Sequence, residues 1–184
     1  MMKSSRLYHM VLAGVLCAVG IVVPMFMPRV VLGPMSFTLA SHVAVFLGMF
    51  ISPAVAVAVC IGTTLGFFLT TPAIIALRAA SHIVFAGLGA LYLKKHPDTI
   101  DRPVASTVFN FVIALLHAAA EMIVVAPFFL LGALFTPEQL ANGFVTSVVL
   151  LVGLGTLIHS MLDYSISILI WKPVSLAVPR STQA

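Results

Sequence analysis

Long apolar runs, broken by very few charges, leave this chain almost no surface that could face water. Of its 184 residues, 61% are apolar and 8% carry a formal charge, and the mean hydropathy is +1.20. A soluble domain carries roughly 25% charged residues. Because so few charged side chains cannot cover a water-facing surface, most of the surface must contact lipid. We therefore expect an integral membrane protein whose energy source is a gradient or a partner, since no polar block is long enough to form a nucleotide-binding domain.

The apolar runs are long enough to cross a bilayer as helices. Each crossing needs about 20 apolar residues, so a chain of this length holds at most about seven spans, and more comfortably six joined by short loops. Continuous apolarity without two-residue alternation is not the pattern of a transmembrane barrel. The stretch 29–36, which contains Gly33 and Pro34, is predicted to be a surface loop. We predict an all-α bundle of six transmembrane helices, forming one membrane domain over 1–184, with helices at about 7–28, 37–51, 54–70, 72–93, 104–135 and 140–171.

Basic residues occur in three segments that six spans would place on one side of the membrane. An excess of lysine and arginine marks the cytoplasmic side, so we expect both termini to be cytoplasmic. These positions at segment ends also account for the net charge of +4, and we expect no nucleic-acid partner. The basic residues concerned are Lys3, Arg6, Lys94, Lys95, Arg102, Lys172 and Arg180.

Ionisable residues inside the predicted helices are the strongest indication of function, because they are costly in a membrane. Three pairs have the four-residue spacing that places both side chains on one helix face, namely Arg78 with His82, His117 with Glu121, and His159 with Asp163. Helices four, five and six can converge on one polar cavity, and His42 begins helix two near the outer face. The candidate binding residues are Arg78, His82, His117, Glu121, His42 and His159.

The sequence allows two roles for Arg78. It lies about two turns from the outer end of helix four, where a substrate could reach it. Alternatively, Glu121 or Asp163 neutralises it and the pair only makes the bundle specific. His159 and Asp163 are expected deeper, toward the cytoplasmic half, so Asp163 is expected to be a structural partner more than a ligand.

Neither a metal site nor catalysis is expected. The HxxxE and HxxxD pairs could hold zinc or iron, but Arg78 would place a cation beside the ion and no HExxH pattern occurs. The serines form no Gly-x-Ser-x-Gly elbow. Cys17 and Cys60 lie in apolar runs without CxxC spacing, which favours neither a disulfide nor a metal. We expect no enzymatic activity and no cofactor.

Helix one carries small residues at four-residue spacing. Ala13 precedes Cys17, and Gly14 precedes Ala18. Such ridges allow close approach of a helix from the same bundle or from another chain. Because the chain has no energy module of its own, this helix is a candidate docking face, with internal packing as the alternative.

Several segments resemble the substrate-binding S components of the energy-coupling factor (ECF) vitamin transporters. They are AGVLCA in helix one, SFTLASHVAVFLGMFISP after the loop, and GTTLGFFL followed by LRAASHIVFAGLGALYLKK. The resemblance implies a multi-pass protein of the bacterial cell membrane with a high-affinity vitamin site near the extracellular side, built from helices four to six and capped by the loop after helix one. It also implies that helix one docks on a transmembrane coupling subunit paired with two ATPases. The docking residues would be Ala13, Gly14, Cys17 and Ala18.

The substrate stays open between two kinds of vitamin. The segments SFTLASHV and LRAASH are similar to family members assigned to niacin, and to hydroxymethylpyrimidine or pyridoxine. Arg78 favours a carboxylate such as niacin, whereas Glu121 and the histidines suit the ring nitrogens, amino groups and hydroxyls of the others. A self-sufficient proton-coupled carrier is the alternative function, because the His/Glu and His/Asp pairs could relay protons.

Overall fold

Helices account for most of the chain in the computed structural model, which describes the backbone of residues 2–32 and 35–177. The predictions made for Gly33, Pro34 and Arg180 lie outside the described residues. In chain order the elements are α1 (Met2–Phe26), β1 (Arg29–Leu32), β2 (Met35–Thr38), α2 (Val43–Ile51), α3 (Pro53–Thr70), α4 (Ala73–Lys95), a 3-10 turn (Pro97–Thr99), α5 (Pro103–Leu130), α6 (Pro137–Ala141), a π-helical segment (Val145–Leu154) and α7 (Gly155–Ala177).

Five helical stretches within the described ranges are long and apolar enough to cross a membrane. Many of their leucine, valine, isoleucine and phenylalanine side chains point outward and are exposed, as expected for a surface that contacts lipid. The chain is therefore an all-α membrane protein, apart from one short hairpin. The five stretches are Arg6–Phe26, Pro53–Thr70, Ala73–Lys95, Pro103–Leu130 and Val145–Leu176.

The second predicted helix is shorter than the sequence indicates. It was expected over 37–51, but α2 begins only at Val43. Residues 37–38 belong to β2, and the following turn contains Ala40 with a left-handed φ of 64°. A short apolar run such as SFTLA fits a buried strand as well as a helix, and its period does not separate the two.

An antiparallel hairpin replaces most of the loop expected at 29–36. Arg29 pairs with Thr38 and Leu32 pairs with Met35. Met35 and Thr38 are buried, whereas Val30 and Val31 are exposed. The second strand of the hairpin therefore packs on the helices and the first faces outward.

Left-handed residues end the fifth predicted helix early. The helix was expected over 104–135, but α5 ends at Leu130. Gly132 and Leu134 have φ values of 64° and 63°, which an α-helix does not accommodate.

The sixth predicted helix, expected over 140–171, is divided. The turn expected at 136–139 instead starts α6, whose first residues are held by a capping box between Thr136 and Gln139. Gly143, with a φ of 78°, separates α6 from the π-helical segment and α7. The bounds of α1, α3 and α4 differ from the predicted ones by five residues or fewer.

Glycines on α3 bring it into close contact with α1. A Cβ added to Gly66 would lie 2.5 Å from Cδ1 of Ile21, and one added to Gly62 would collide with the Cys17 thiol. Small residues allow two membrane helices to approach and gain dispersion contacts along their length. Gly20 of α1 packs against Thr63 of α3 in the same way, so glycines on both helices specify the α1–α3 contact.

The variant Gly66→Val should destabilise the bundle, because the added methyl groups overpack this contact at a cost of about 1–3 kcal/mol. Gly87→Val is the matched control, since a Cβ at Gly87 on α4 meets nothing within 4 Å. Thermal unfolding in detergent should show a lower Tm for Gly66→Val only. The same fall in Tm for both variants would be inconsistent with this packing.

Two cavities lie at the two ends of α2. His42, just before α2, lines the first, and Ile51, its last residue, lines the second. Lys94 and Trp171 also line the second cavity. Between them the core is built around aromatic residues, with Phe46 5.6 Å from Phe85 and 5.4 Å from Tyr164 between ring centres.

Candidate functional site

A cavity of about 390 Å³ lies between the hairpin and helices α1, α3, α4, α5 and α7. This volume falls within the range of about 300–1,000 Å³ found for small-molecule sites. Five of the six predicted binding residues line it, namely Arg78, His82, Glu121, His42 and His159. The sixth, His117, is fully buried, and its Nε2 lies 3.4 Å from Oε1 of Glu121.

Arg78 and Glu121 form a buried ion pair between α4 and α5. The Nε and Nη2 of Arg78 donate hydrogen bonds to Oε2 of Glu121 at 3.0 and 2.7 Å. The hydroxyl of Thr156 donates to the same oxygen. Of the two partners considered for Arg78, the structure thus brings Glu121 to it. Since Nε and Nη2 are used, the Nη1 group, with two N–H donors, remains for a ligand in the cavity.

Asp163 holds the turn that precedes α2. Its Oδ1 accepts a hydrogen bond from the backbone N–H of Ala40 at 2.9 Å, and its Oδ2 accepts one from the backbone N–H of His42 at 2.9 Å. Oδ2 also lies 3.0 Å from Nδ1 of His42 and 2.7 Å from Nε2 of His159. The carboxylate is fully buried, so the turn reaches into the bundle.

His159 lines the same cavity as Arg78, although the sequence analysis expected it deeper, toward the cytoplasmic half. The turn before α2 reaches α7 here, since the Ser41 hydroxyl lies 3.2 Å from Nε2 of His159. Asp163 binds the backbone of the turn and the side chain of His42, and is therefore a structural partner of that segment.

Four imidazoles meet at the floor of the cavity. The ring centre of His42 is 4.7 Å from the ring centres of His82, His117 and His159, in each case edge to face. His82 and His117 are also separated by 4.7 Å. The cluster therefore joins the turn before α2 to α4, α5 and α7.

A known transporter is similar to the chain over almost its whole length. The niacin transporter NiaX of Lactococcus lactis subsp. cremoris is 38% identical over 179 residues, which cover 96% of this chain and 79% of that protein. This chain belongs to the S components of the ECF vitamin transporters. It is a multi-pass protein of the bacterial cell membrane that serves vitamin uptake. No family model and no solved structure matches it.

The four small residues of α1 in this S component do not share one face. Ala13 belongs to the core, and the Cys17 thiol lies 3.6 Å from the carbonyl oxygen of Ala58 on α3. Gly14 and Ala18 are exposed, and a Cβ at Gly14 would meet nothing within 4 Å. One ridge is therefore packed inside the bundle and the other lies on its outer surface.

Three residues with side-chain hydroxyls contact the candidate binding residues, and the sequence analysis did not name them as candidates. Thr156 donates to Glu121, the Ser160 hydroxyl lies 3.0 Å from Nδ1 of His117, and the Ser41 hydroxyl lies 3.2 Å from Nε2 of His159. Helical spacing places Thr156, Ser160 and Asp163 on one face, and that spacing was the available signal. Hydroxyls are common between membrane helices, so the spacing alone does not mark a site.

Proposed function

We propose that this chain is the substrate-binding subunit of an ECF importer for niacin. The observation that carries the proposal is Arg78, a buried guanidinium that lines the cavity and keeps its Nη1 group for a ligand. A carboxylate is the ligand group that pairs best with a guanidinium. Niacin has a carboxylate, whereas pyridoxine and hydroxymethylpyrimidine have none. The similarity to a niacin transporter supports the same choice.

The rest of the cavity suits a flat aromatic ring. The hairpin contributes Met35 and Phe37, and the Phe37 ring lies 4.7 Å from the His159 ring, edge to face. Apolar walls with a few convergent polar groups are typical of small-molecule sites. We propose that the pyridine ring lies under the hairpin, with its nitrogen accepting a hydrogen bond from the imidazole of His82, which lines the cavity.

We propose six membrane crossings with both termini in the cytoplasm. Residues 35–51 would form the second crossing, in which a strand and a turn take the place of the outer half of a helix. In support, His42 lines one cavity while Ile51 and Lys94 line the other. The basic segments then lie on one side, which the positive-inside rule makes cytoplasmic, and the niacin cavity opens to the outside.

The partners we propose are a transmembrane coupling subunit and two ATPases, reached through α1. Gly14 and Ala18 are small residues exposed on the outer face of this helix. A small-residue ridge allows another membrane helix to pack closely against it. Ala13 and Cys17, packed on the core and on α3, would support this ridge from behind.

Replacing Gly14 with leucine should abolish niacin uptake by the complete importer while leaving niacin binding intact, because the side chain would obstruct docking but has free space in the isolated chain. Gly87→Leu on α4 is the matched control, since it is equally unobstructed. Uptake and binding are measured on the same preparations. Loss of binding in Gly14→Leu would mean that this face packs inside the bundle.

Reconstitution separates the importer from a self-sufficient carrier. Proteoliposomes that hold this chain alone should not accumulate niacin under a proton gradient. Addition of the coupling subunit and the ATPases should give accumulation that depends on ATP. Gradient-driven accumulation by the chain alone would favour the carrier, for which the buried His/Glu and His/Asp contacts could relay protons.

A further inference from the structure

We propose that His42, His82, His117 and Glu121 form a site for a divalent transition-metal ion at the floor of the cavity, which goes beyond the recognition of a vitamin. One ligand atom from each of the four side chains lies within 4.8 Å of the other three. The four residues come from the turn before α2, from α4 and from α5. The folded bundle therefore brings together a set of three imidazoles and one carboxylate.

Two distances within this group match the separation of ligand atoms around one metal ion. Oε1 of Glu121 is 3.4 Å from Nε2 of His82 and 3.4 Å from Nε2 of His117. Metal–ligand bonds of about 2.0–2.2 Å in a tetrahedral site separate the ligand atoms by about 3.3–3.6 Å. Charge-assisted hydrogen bonds are shorter, at about 2.7–2.9 Å, and the nearby His159–Asp163 contact of 2.7 Å is of that kind.

The Nε2 atom of His117 has a long contact only. The side chain is fully buried, and its Nδ1 lies 3.0 Å from the hydroxyl of Ser160. Nε2 lies 3.4 Å from Oε1 of Glu121 and forms no hydrogen bond of good geometry with any described residue. A buried polar atom without a partner costs about 1–3 kcal/mol. A metal ion bound between Nε2 and Oε1 of Glu121 would satisfy this nitrogen.

As Ser160 does for His117, neighbouring groups bind the second polar atom of His42 and of Glu121. Asp163 lies 3.0 Å from Nδ1 of His42, which leaves Nε2 of that ring for the ion. Arg78 and Thr156 donate to Oε2 of Glu121, which leaves Oε1. A carboxylate behind a histidine, and hydrogen bonds on the free oxygen of a ligating carboxylate, are the usual supports of a metal site.

The charges of the cluster are compatible with a bound metal ion, although from the sequence alone the cation of Arg78 was expected to disfavour one. Arg78 is paired with Glu121, and the second buried carboxylate, Asp163, contacts only imidazoles among the described ionisable side chains. The cluster therefore has one carboxylate more than it has guanidinium groups. Imidazole and carboxylate ligands suit zinc, iron, cobalt or nickel better than magnesium or calcium.

Cobalt titration of the purified chain tests this site without any vitamin present. The protein carries an affinity tag without histidines, is stripped with a chelator and is then titrated with Co²⁺. Metal content and the visible absorption of the ion are both measured. We expect one Co²⁺ per chain, with the strong absorption of a tetrahedral complex.

The variants His82→Gln and His117→Gln should each weaken Co²⁺ binding about 100-fold or more, since each removes a direct ligand and loss of an outer support alone costs 10- to 100-fold. His96→Gln, at an exposed position after α4, is the matched control and should bind as the wild type does. A monodisperse wild-type protein that takes up no Co²⁺ and no Zn²⁺ would overturn the proposal, as would unchanged affinity in His82→Gln. Either result leaves the niacin proposal standing, because no vitamin is present.

Discussion

Substitution of Arg78 by methionine should weaken the binding of niacin by about 10- to 150-fold, whereas the same substitution at Arg29 should leave it almost unchanged. Both arginines line the cavity. The Arg78 side chain is only 10% exposed, whereas Arg29 is exposed and lies 3.4 Å from the Ser36 hydroxyl. A hydrogen bond to a charged group contributes about 1.5–3 kcal/mol, which corresponds to roughly 10- to 150-fold in Kd. At the exposed Arg29, water screens the contact between a guanidinium and the niacin carboxylate, so this contact contributes less.

Glu121 has to be replaced together with Arg78, so that the experiment measures niacin binding and not a loss of stability. Removing Arg78 alone leaves Glu121 buried without its cation, which costs about 3–5 kcal/mol of stability. In the double variant Arg78→Met/Glu121→Gln that charge is absent. Calorimetry then compares niacin with its amide, nicotinamide, in the wild type, the double variant and Arg29→Met.

We expect the wild type and Arg29→Met to prefer the acid over the amide by about 10-fold or more, since only the acid offers a full negative charge. The double variant should have lost this preference. Equal affinity of the wild type for the acid and the amide would show that Arg78 does not receive the carboxylate.

The variant Asp163→Asn should both destabilise the chain and abolish niacin binding. The carboxylate accepts hydrogen bonds from two backbone N–H groups and contacts two imidazoles. An amide offers only one acceptor oxygen, so its NH₂ group would face a donor in the turn before α2. A buried backbone N–H that is left without an acceptor costs about 1–3 kcal/mol. Niacin binding should fall as well, because Asp163 positions His42 in the cavity.

Asp98→Asn is the matched control for this substitution. Asp98 also contacts a basic side chain, Arg102, at 3.5 Å, but its side chain is 74% exposed. Exposed ion pairs contribute little, so the Tm in detergent should be almost unchanged. A similar Tm for Asp163→Asn and Asp98→Asn, with niacin binding retained in both, would contradict the role given to Asp163.

The membrane class and the polar pairs were predictable because they depend on local chemistry. Apolar runs such as the one that forms α4 must contact lipid or other apolar runs, whatever the tertiary structure. The four-residue spacing of Arg78 and His82, and of His117 and Glu121, places each pair on one helix face. That a cavity would gather these pairs also followed, since ionisable groups avoid lipid.

His42 was predicted as a binding residue, but its place at the centre of the imidazole cluster was not predictable, because it depends on the fold of the chain before α2. Asp163, far away in sequence, binds the backbone of residues 40 and 42 and holds His42 there. Hydrophobic periodicity cannot show that residues 37–38 form a strand instead of a helical turn. For the sixth predicted helix, the residues that face inward were not predictable either. The π-helical segment Val145–Leu154 changes which residues of α7 face inward.

Isothermal titration calorimetry of the purified chain with niacin, pyridoxine and hydroxymethylpyrimidine in parallel tests the central claim most directly. The cavity, its buried guanidinium and the similarity to a niacin transporter predict tight binding of niacin at one molecule per chain, with weak or no heat from the other two. No binding of niacin by a folded, monodisperse chain, or tight binding of pyridoxine or hydroxymethylpyrimidine in its place, would contradict the account.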